Sequence, residues 1–273
     1  MRVRLGKSGG LNMKIDIFKK KKRHLLIFWT VIIVITIGSM VITKYDPVLG
    51  ITSIPKGILW ACSNFYPNEE ALTKLPKILL KLKETVLLSI AATTTAAMLA
   101  FLFSLSGSKT TNDIRIISTG TRLIASVFRN VPDTVWAMVL LFSFGQNAMT
   151  GYFALFFTTF GILTRAFIET IDEASCESVE ALRATGASYF QIVSQAVIPS
   201  CIPRLISWIL FMLETNIRSS TLIGLLTGTG IGYTFSMYYK SMYYNAASLV
   251  VISIVLSVFV IEFISNYVRR VII

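Results

Sequence analysis

Six apolar runs fix what this chain can fold into. They cover about Leu25 to Thr43, Leu79 to Leu105, Ile114 to Gly145, Ala148 to Ile168, Arg204 to Leu226 and Ala247 to Tyr267. A helix rises about 1.5 Å per residue, so about 20 apolar residues cross a hydrocarbon layer about 30 Å thick. Each run meets that requirement. The third is too long for one straight span, and Pro132 interrupts it, which predicts a kink. The fold class expected is therefore an all-α integral membrane protein with six transmembrane helices. The composition agrees: 54% of residues are hydrophobic and 15% charged, whereas soluble domains carry about 25% charged residues.

The charge pattern sets a topology. The chain has a net charge of +12, with 26 Lys and Arg residues, which could suggest nucleic acid. Nine of the 26 lie in residues 1–23, ending in Lys19-Lys-Lys-Lys-Arg23 directly before the first apolar run. That is the flank of a span whose N-terminus stays in the cytoplasm, so no nucleic-acid partner is expected, only membrane lipid. A cleaved signal peptide would have a shorter apolar region and a small-residue cleavage site, but Lys44-Tyr-Asp-Pro47 follows, so the first helix is read as retained. Residues 1–23 then form a basic tail, 24–43 the first span, 44–77 an extracytoplasmic segment, and 78–273 the core. In 44–77, Pro47, Pro55, Pro67 and Pro76 are expected to break any long helix. Six lysines on that side conflict with the positive-inside rule, but the first helix usually dominates. Both termini are placed in the cytoplasm.

The polar segment 169–203 then falls on the cytoplasmic side, between the fourth and fifth spans. Glu169, Asp172, Glu173, Glu177 and Glu180 recur at spacings of three and four or their sums, which marks one acidic helix face. Gly186 fits the position after a helix end, where a left-handed backbone is needed. Tyr189 to Val197 is expected to form a second short helix, stopped by Pro199. The result is a helix–turn–helix at the membrane surface, with Ala181 and Ala184 small enough for close packing.

Glu180-Ala181-Leu182, Gly186 five residues after Ala181 and Pro199 thirteen after Gly186 resemble the EAA loop of permease subunits in ATP-binding-cassette importers. Leu182, Ala196 and Ile198 depart from that pattern, but remain apolar or small. Arg129-Asn-Val-Pro-Asp-Thr-Val-Trp136, Val179 to Ala187, Glu214-Thr-Asn-Ile-Arg-Ser-Ser-Thr-Leu-Ile-Gly224 and Gly228-Thr-Gly-Ile-Gly232 are similar to the phosphonate-importer permeases. The resemblance covers about residues 75–270. It implies the type I importer architecture, an extra N-terminal helix on a five-helix core, working as a permease dimer. It also implies two ATPase subunits in the cytoplasm and a substrate-binding protein outside. Glu180, Ala181, Leu182, Gly186 and Pro199 would then couple the chain to its ATPase subunit.

Four ionisable residues fall within the spans. Arg129 and Asp133 lie four apart around Pro132, and Glu214 and Arg218 lie four apart in the fifth run. A charge at the bilayer centre costs about 2.5–3.5 kcal/mol on insertion scales, so these side chains are expected to face a neighbouring helix or water. Two roles stay open. Each pair can neutralise itself while Asn130 and Asn216 hydrogen-bond between helices. Alternatively Arg129, Asn130, Asp133, Glu214, Asn216 and Arg218 line a polar path in which the arginines meet an anion such as a phosphonate.

Gly228-x-Gly-x-Gly232 follows a membrane run rather than a strand, which argues against a nucleotide site; Gly228, Gly230 and Gly232 are read as a loop beside the outer gate. No lysine-bearing phosphate loop occurs, so ATP hydrolysis is expected in a partner and the chain itself is not read as an enzyme. Cys62, Cys176 and Cys201 lack metal-ligand spacing, and His24 is the only histidine, so neither metal nor cofactor is expected. Two other readings remain: a permease of the same architecture for an amino acid or other small solute, and a secondary transporter or membrane enzyme working alone. The latter should show inverted repeats or a His/Asp/Glu catalytic cluster, and the sequence shows neither.

Overall fold

The computed structural model describes residues 8–111, 114–174 and 176–272, and the side chains of 20–111, 114–173 and 177–272. Among the described residues every regular element is helical. Two compact units are present, Met1–Cys62 and Ser63–Ile273.

The first unit holds α1 (Ser8–Thr43) and most of α2 (Pro47–Asn64). The stretch Lys20–Thr43 is long and apolar enough to cross a membrane, its charges gathered at the first four residues. Asp46 caps α2: its Oδ1 accepts from the Val48 amide at 2.9 Å and the Leu49 amide at 3.1 Å. The expectation that prolines keep residues 44–77 from forming a long helix is corrected here. Pro47 opens an 18-residue helix, where its missing N–H costs nothing, and Pro55 sits inside the same helix. Pro76 likewise stands in the first turn of the next long helix.

In the second unit, α3 (Glu69–Leu72) leads into α4 (Leu75–Gly107), followed by α5 (Arg115–Asn130), α6 (Asp133–Phe144) and α7 (Ala148–Ala174). The central helix is α7, most of whose membrane-length stretch is buried. It packs on α4 because α4 buries Ser89, Thr93, Ala96, Ala100, Ser104 and Gly107. Small residues at that spacing let two backbones approach closely without a hydrophobic driving force in lipid. Phe160, Leu163, Phe167 and Ile171 of α7 fill the core on the other side.

Helices α5 and α6 meet at 88°. The expected kink at Pro132 is therefore a broken span. Pro132 disfavours helical backbone at Val131, which is extended with φ −91° and ψ 118°. Tertiary packing then fixes the angle. Phe128 and Trp136 stack across the break at 5.5 Å, and Phe157 lies 4.9 Å from Trp136. Gly161 of α7 sits so close that an added Cβ would overlap the Arg129 nitrogen and the Phe128 backbone.

After α8 (Cys176–Ala184) and α9 (Tyr189–Ile192), a π-turn (Val193–Val197) runs directly into α10 (Ile198–Thr227). Pro199 therefore does not stop a helix, and an uninterrupted apolar helix covers Tyr189–Thr227, 39 residues. The π-turn explains the tolerance, because it loosens the turn just before the proline ring, where regular α geometry would crowd the preceding carbonyl. Among the described residues five single helices are long and apolar enough to span, or six with the bent α5–α6 pair. The expected loop after the fifth run contains α11 (Gly230–Lys240), and α12 (Tyr244–Ile272) closes the chain.

Candidate functional site

The 176–199 segment is built around one glycine. Gly186 has φ +79°, the left-handed conformation expected of it. The Gly186 amide bonds to the Arg183 carbonyl at 3.0 Å and the Ala187 amide to the Leu182 carbonyl at 3.2 Å. These are the paired bonds that close a helix end. The Ser188 amide then donates to Gln191 Oε1 at 2.7 Å and starts α9. Inward packing is done by Val179, 1% exposed, with Leu182 and Ala187 against the core. Ala181 and Ala184, expected to pack closely, are exposed instead, because they point to the opposite face of α8. Glu180, Tyr189 and Phe190 are exposed as well.

The acidic face proves to be divided among cations. Glu169, Asp172 and Glu173 belong to the last turns of α7. Glu169 pairs with Arg165 at 2.5 Å and Glu173 with Arg204 at 3.1 Å. Asp172 is a hub. Its Oδ2 receives Arg122 at 2.7 Å, and its Oδ1 receives the Ser108 hydroxyl at 2.6 Å and the Lys109 amide at 2.9 Å. Arg122 Nε also donates to the Gly107 carbonyl at 3.0 Å, and Arg183 of α8 donates to the Thr110 carbonyl at 3.0 Å. The α4–α5 turn is thus held from both α7 and α8. Sequence reasoning missed Arg122 as part of this clasp. Its partner lies 50 positions away, beyond any local spacing rule.

The charges within the spans separate into two situations. Glu214 and Arg218 meet at 2.8 Å, one turn apart as expected. Arg129 and Asp133 do not pair, since the 88° break falls between them. Arg129 and Asn130 are exposed at the end of α5, and Asp133 Oδ1 accepts from the Thr134 amide at 2.8 Å at the start of α6. Asn216 is 3% exposed and forms a three-helix joint. Its Nδ2 donates to Thr93 Oγ1 and Thr159 Oγ1, both at 2.8 Å, and the Ser89 hydroxyl donates to its carbonyl at 3.3 Å. Arg218 lies on the other side of α10, in an exposed stripe with Trp208, Phe211, Leu222 and Leu225. A third charge joins the pair: Arg269 of α12 lies 4.0 Å from Glu214 Oε2.

The glycines after α10 serve close approach. Gly228 caps α10 at φ +70° and Gly230 opens α11 at φ +64°. Gly232 lies inside α11, where an added Cβ would overlap the Thr221 carbonyl of α10. The Ile231 amide donates to Thr85 Oγ1 at 2.9 Å, which binds the start of α11 to α4. The expected loop is thus half loop and half helix start. Cys62 is exposed and Cys201 buried, while the Cys176 side chain lies outside the described residues. Among the described residues no cluster of His, Cys, Asp or Glu could hold a metal ion.

The bundle of membrane-length helices carries one helical turn closed at Gly186. Residues 104–273 match the family model of the binding-protein-dependent transport system inner membrane component, and the chain belongs to that family. It is similar to the putative phosphite transport system permease protein HtxC of Stutzerimonas stutzeri, 27% identical over 94% of this chain and 90% of that one. It is 31% identical to the putative cryptic phosphonate transport system permease protein PhnE2 of Escherichia coli, over 43% of this chain and 96% of that one. It is 25% identical over 69% of its length to the phosphate-import permease protein PhnE of Mycolicibacterium smegmatis, of which it spans 35%. Among solved structures, an inward-facing form of the MetNI methionine ABC transporter shares the fold. The TM-score is 0.65 at 17% identity, over 76% of this chain and 99% of that one.

Proposed function

We propose that the chain is the membrane-spanning subunit of an importer that carries a phosphonate, phosphite or related phosphorus oxyanion into the cytoplasm. The observation that carries this reading is the 176–199 segment. Its inward residues, Val179 and Leu182, are locked into the core, while Glu180, Ala181, Ala184, Tyr189 and Phe190 are turned outward. A surface braced from behind, with Glu180 beside small and aromatic side chains in front, suits a cytoplasmic ATPase subunit, one per permease in a dimer of two. Arg183 and the Asp172 clasp connect that surface to α5, which leads to Arg129 and the broken span. ATP hydrolysis belongs to the partner. An extracytoplasmic binding protein delivers the solute to the Gly228–Gly232 side. The names of the relatives, phosphite, phosphonate and phosphate, support the substrate class. Arg218 and Arg129, exposed within the spans, suit an anion.

The test is reconstitution of the chain in vesicles with its ATPase subunit and binding protein. Uptake of phosphite or methylphosphonate that depends on ATP at the ATPase face is expected. Import of methionine or histidine in place of the oxyanion would overturn the substrate class.

A further inference from the structure

Arg269 lies in the last turn of α12, where its charge reads at first as a topology signal. Its surroundings differ from those of Arg270, which is exposed. The Arg269 Nε and Nη2 atoms are buried and have no hydrogen-bond acceptor among the described residues. Among the described residues its ion-pair partner is Glu214, 15% exposed, at 4.0 Å, outside hydrogen-bond range. The other Glu214 oxygen already accepts from Arg218 at 2.8 Å. Two guanidinium groups from two helices thus face one carboxylate, and the cluster carries one uncompensated positive charge. Buried donors left without acceptors are costly, so a native chain keeps few of them. Neutralising Glu214 needs only one arginine.

Resting on the importer function argued above, we propose that Arg269 and Arg218, on either side of Glu214, form a weak binding site for a tetrahedral phosphorus oxyanion in transit. The anion brings several acceptor oxygens in a compact shape. Guanidinium groups match such oxygens with paired N–H donors. The free Nε and Nη2 of Arg269 lie on one edge of the fork, the arrangement that bidentate binding uses. Glu214 holds the arginines in position and opposes the anion by like charge. That keeps the site weak, as release during permeation requires. A lipid phosphate offers the same chemistry, so the source of the oxyanion has to be separated experimentally.

The experiment compares wild type, Arg269→Gln and the double variant Glu214→Gln/Arg269→Gln in vesicles with the ATPase subunit and binding protein, with phosphite uptake as readout. Loss of the charged hydrogen bonds should slow Arg269→Gln roughly tenfold. The double variant should stay as slow, because removing the carboxylate does not restore the donors. Recovery of the wild-type rate in the double variant would make Arg269 a mere counter-ion to Glu214 and overturn the proposal. So would a wild-type rate in Arg269→Gln. Should that variant fail to assemble with the ATPase subunit, the double variant, which keeps the net charge of the wild-type cluster, decides by its rate. Phosphatidylglycerol retained on the purified complex, counted by native mass spectrometry, should be equal in wild type and variant. Loss of one bound lipid in the variant would assign the site to a headgroup and exclude the transit role. If wild-type vesicles import no phosphorus oxyanion, the proposed function falls and the site with it. If they do and the variants import equally fast, only the site falls.

Discussion

Arg122 of α5 and Asp172 of α7 meet at 2.7 Å, and the carboxylate oxygen not used by that bond gathers the turn from Ser108 to Thr110. Both side chains are about a quarter exposed, 22% and 25%. Neutralising the carboxylate weakens several charge-assisted bonds at once. Asp172→Asn should lower the stability of the purified chain by about 2 kcal/mol, and Arg122→Ala by less, because the turn keeps its own bonds to Asp172. Buried Cys201 reports unfolding, so thermal exposure of that thiol in a Cys62→Ser/Cys176→Ser background measures the difference. Equal melting of Asp172→Asn and the parent would show that the clasp does not hold the turn.

Two glycines in neighbouring helices should respond in opposite directions. Gly161→Ala pushes a methyl into the α5 backbone at Arg129 and Phe128. Backbone cannot move aside as a side chain can, so a loss of about 1–3 kcal/mol is expected. Gly120, within α5, has nothing within 4 Å of an added Cβ. Gly120→Ala should be neutral or stabilising by about 0.5–1 kcal/mol. The same thermal thiol assay ranks the two, and a Gly161→Ala chain as stable as Gly120→Ala would remove the glycine from its role in holding the bend.

At Gly186 the space is open but the backbone is left-handed, φ +79° with nothing within 4 Å. A substitution there is therefore strained without clashing. Gly186→Val should cost about 1–2 kcal/mol of local order and lower transport-coupled ATPase activity several-fold, while Gly186→Asn, which tolerates this conformation, keeps most of it. Normal uptake by the Val variant would show that the turn does not couple.

The proposed orientation assigns Cys62 and Cys176 to opposite sides of the membrane. A membrane-impermeant maleimide added to intact cells should label Cys62, which is exposed, and spare Cys201, which is buried. It should also spare Cys176. Labelling of Cys176 from outside would reverse the orientation.

Features set by one residue or one helical turn were legible in the sequence. Gly186 was readable because only a left-handed turn needs a glycine there, and the Glu214–Arg218 pair because i and i+4 face each other on a helix. The place of the break at Pro132 was readable, but its 88° amplitude was not, since Gly161 and Phe157 on another helix help to hold it. Pro199 suggested an ending because a proline disrupts an α-helix, and no residue type announces the π-turn that accommodates it. Arg122 and Asp172, like Glu214 and Arg269, are joined by folding across 50 residues or more, where spacing carries no signal.

The π-turn at Val193–Val197 acts as a phase shifter between the two ends of the Tyr189–Thr227 helix. Each residue advances an α-helix by about 100°, so the one residue wedged into the wider turn offsets everything beyond it by about that angle. The azimuth of Arg218 relative to Tyr189 and Phe190 is therefore written in five residues that lie well before Arg218 in the helix. Deleting one of them should let the segment close to regular α geometry and swing the Arg218 stripe about a quarter-turn around the helix axis. The Asn216 joint, which needs Thr93 and Thr159 on one side, would be carried out of register by the same rotation.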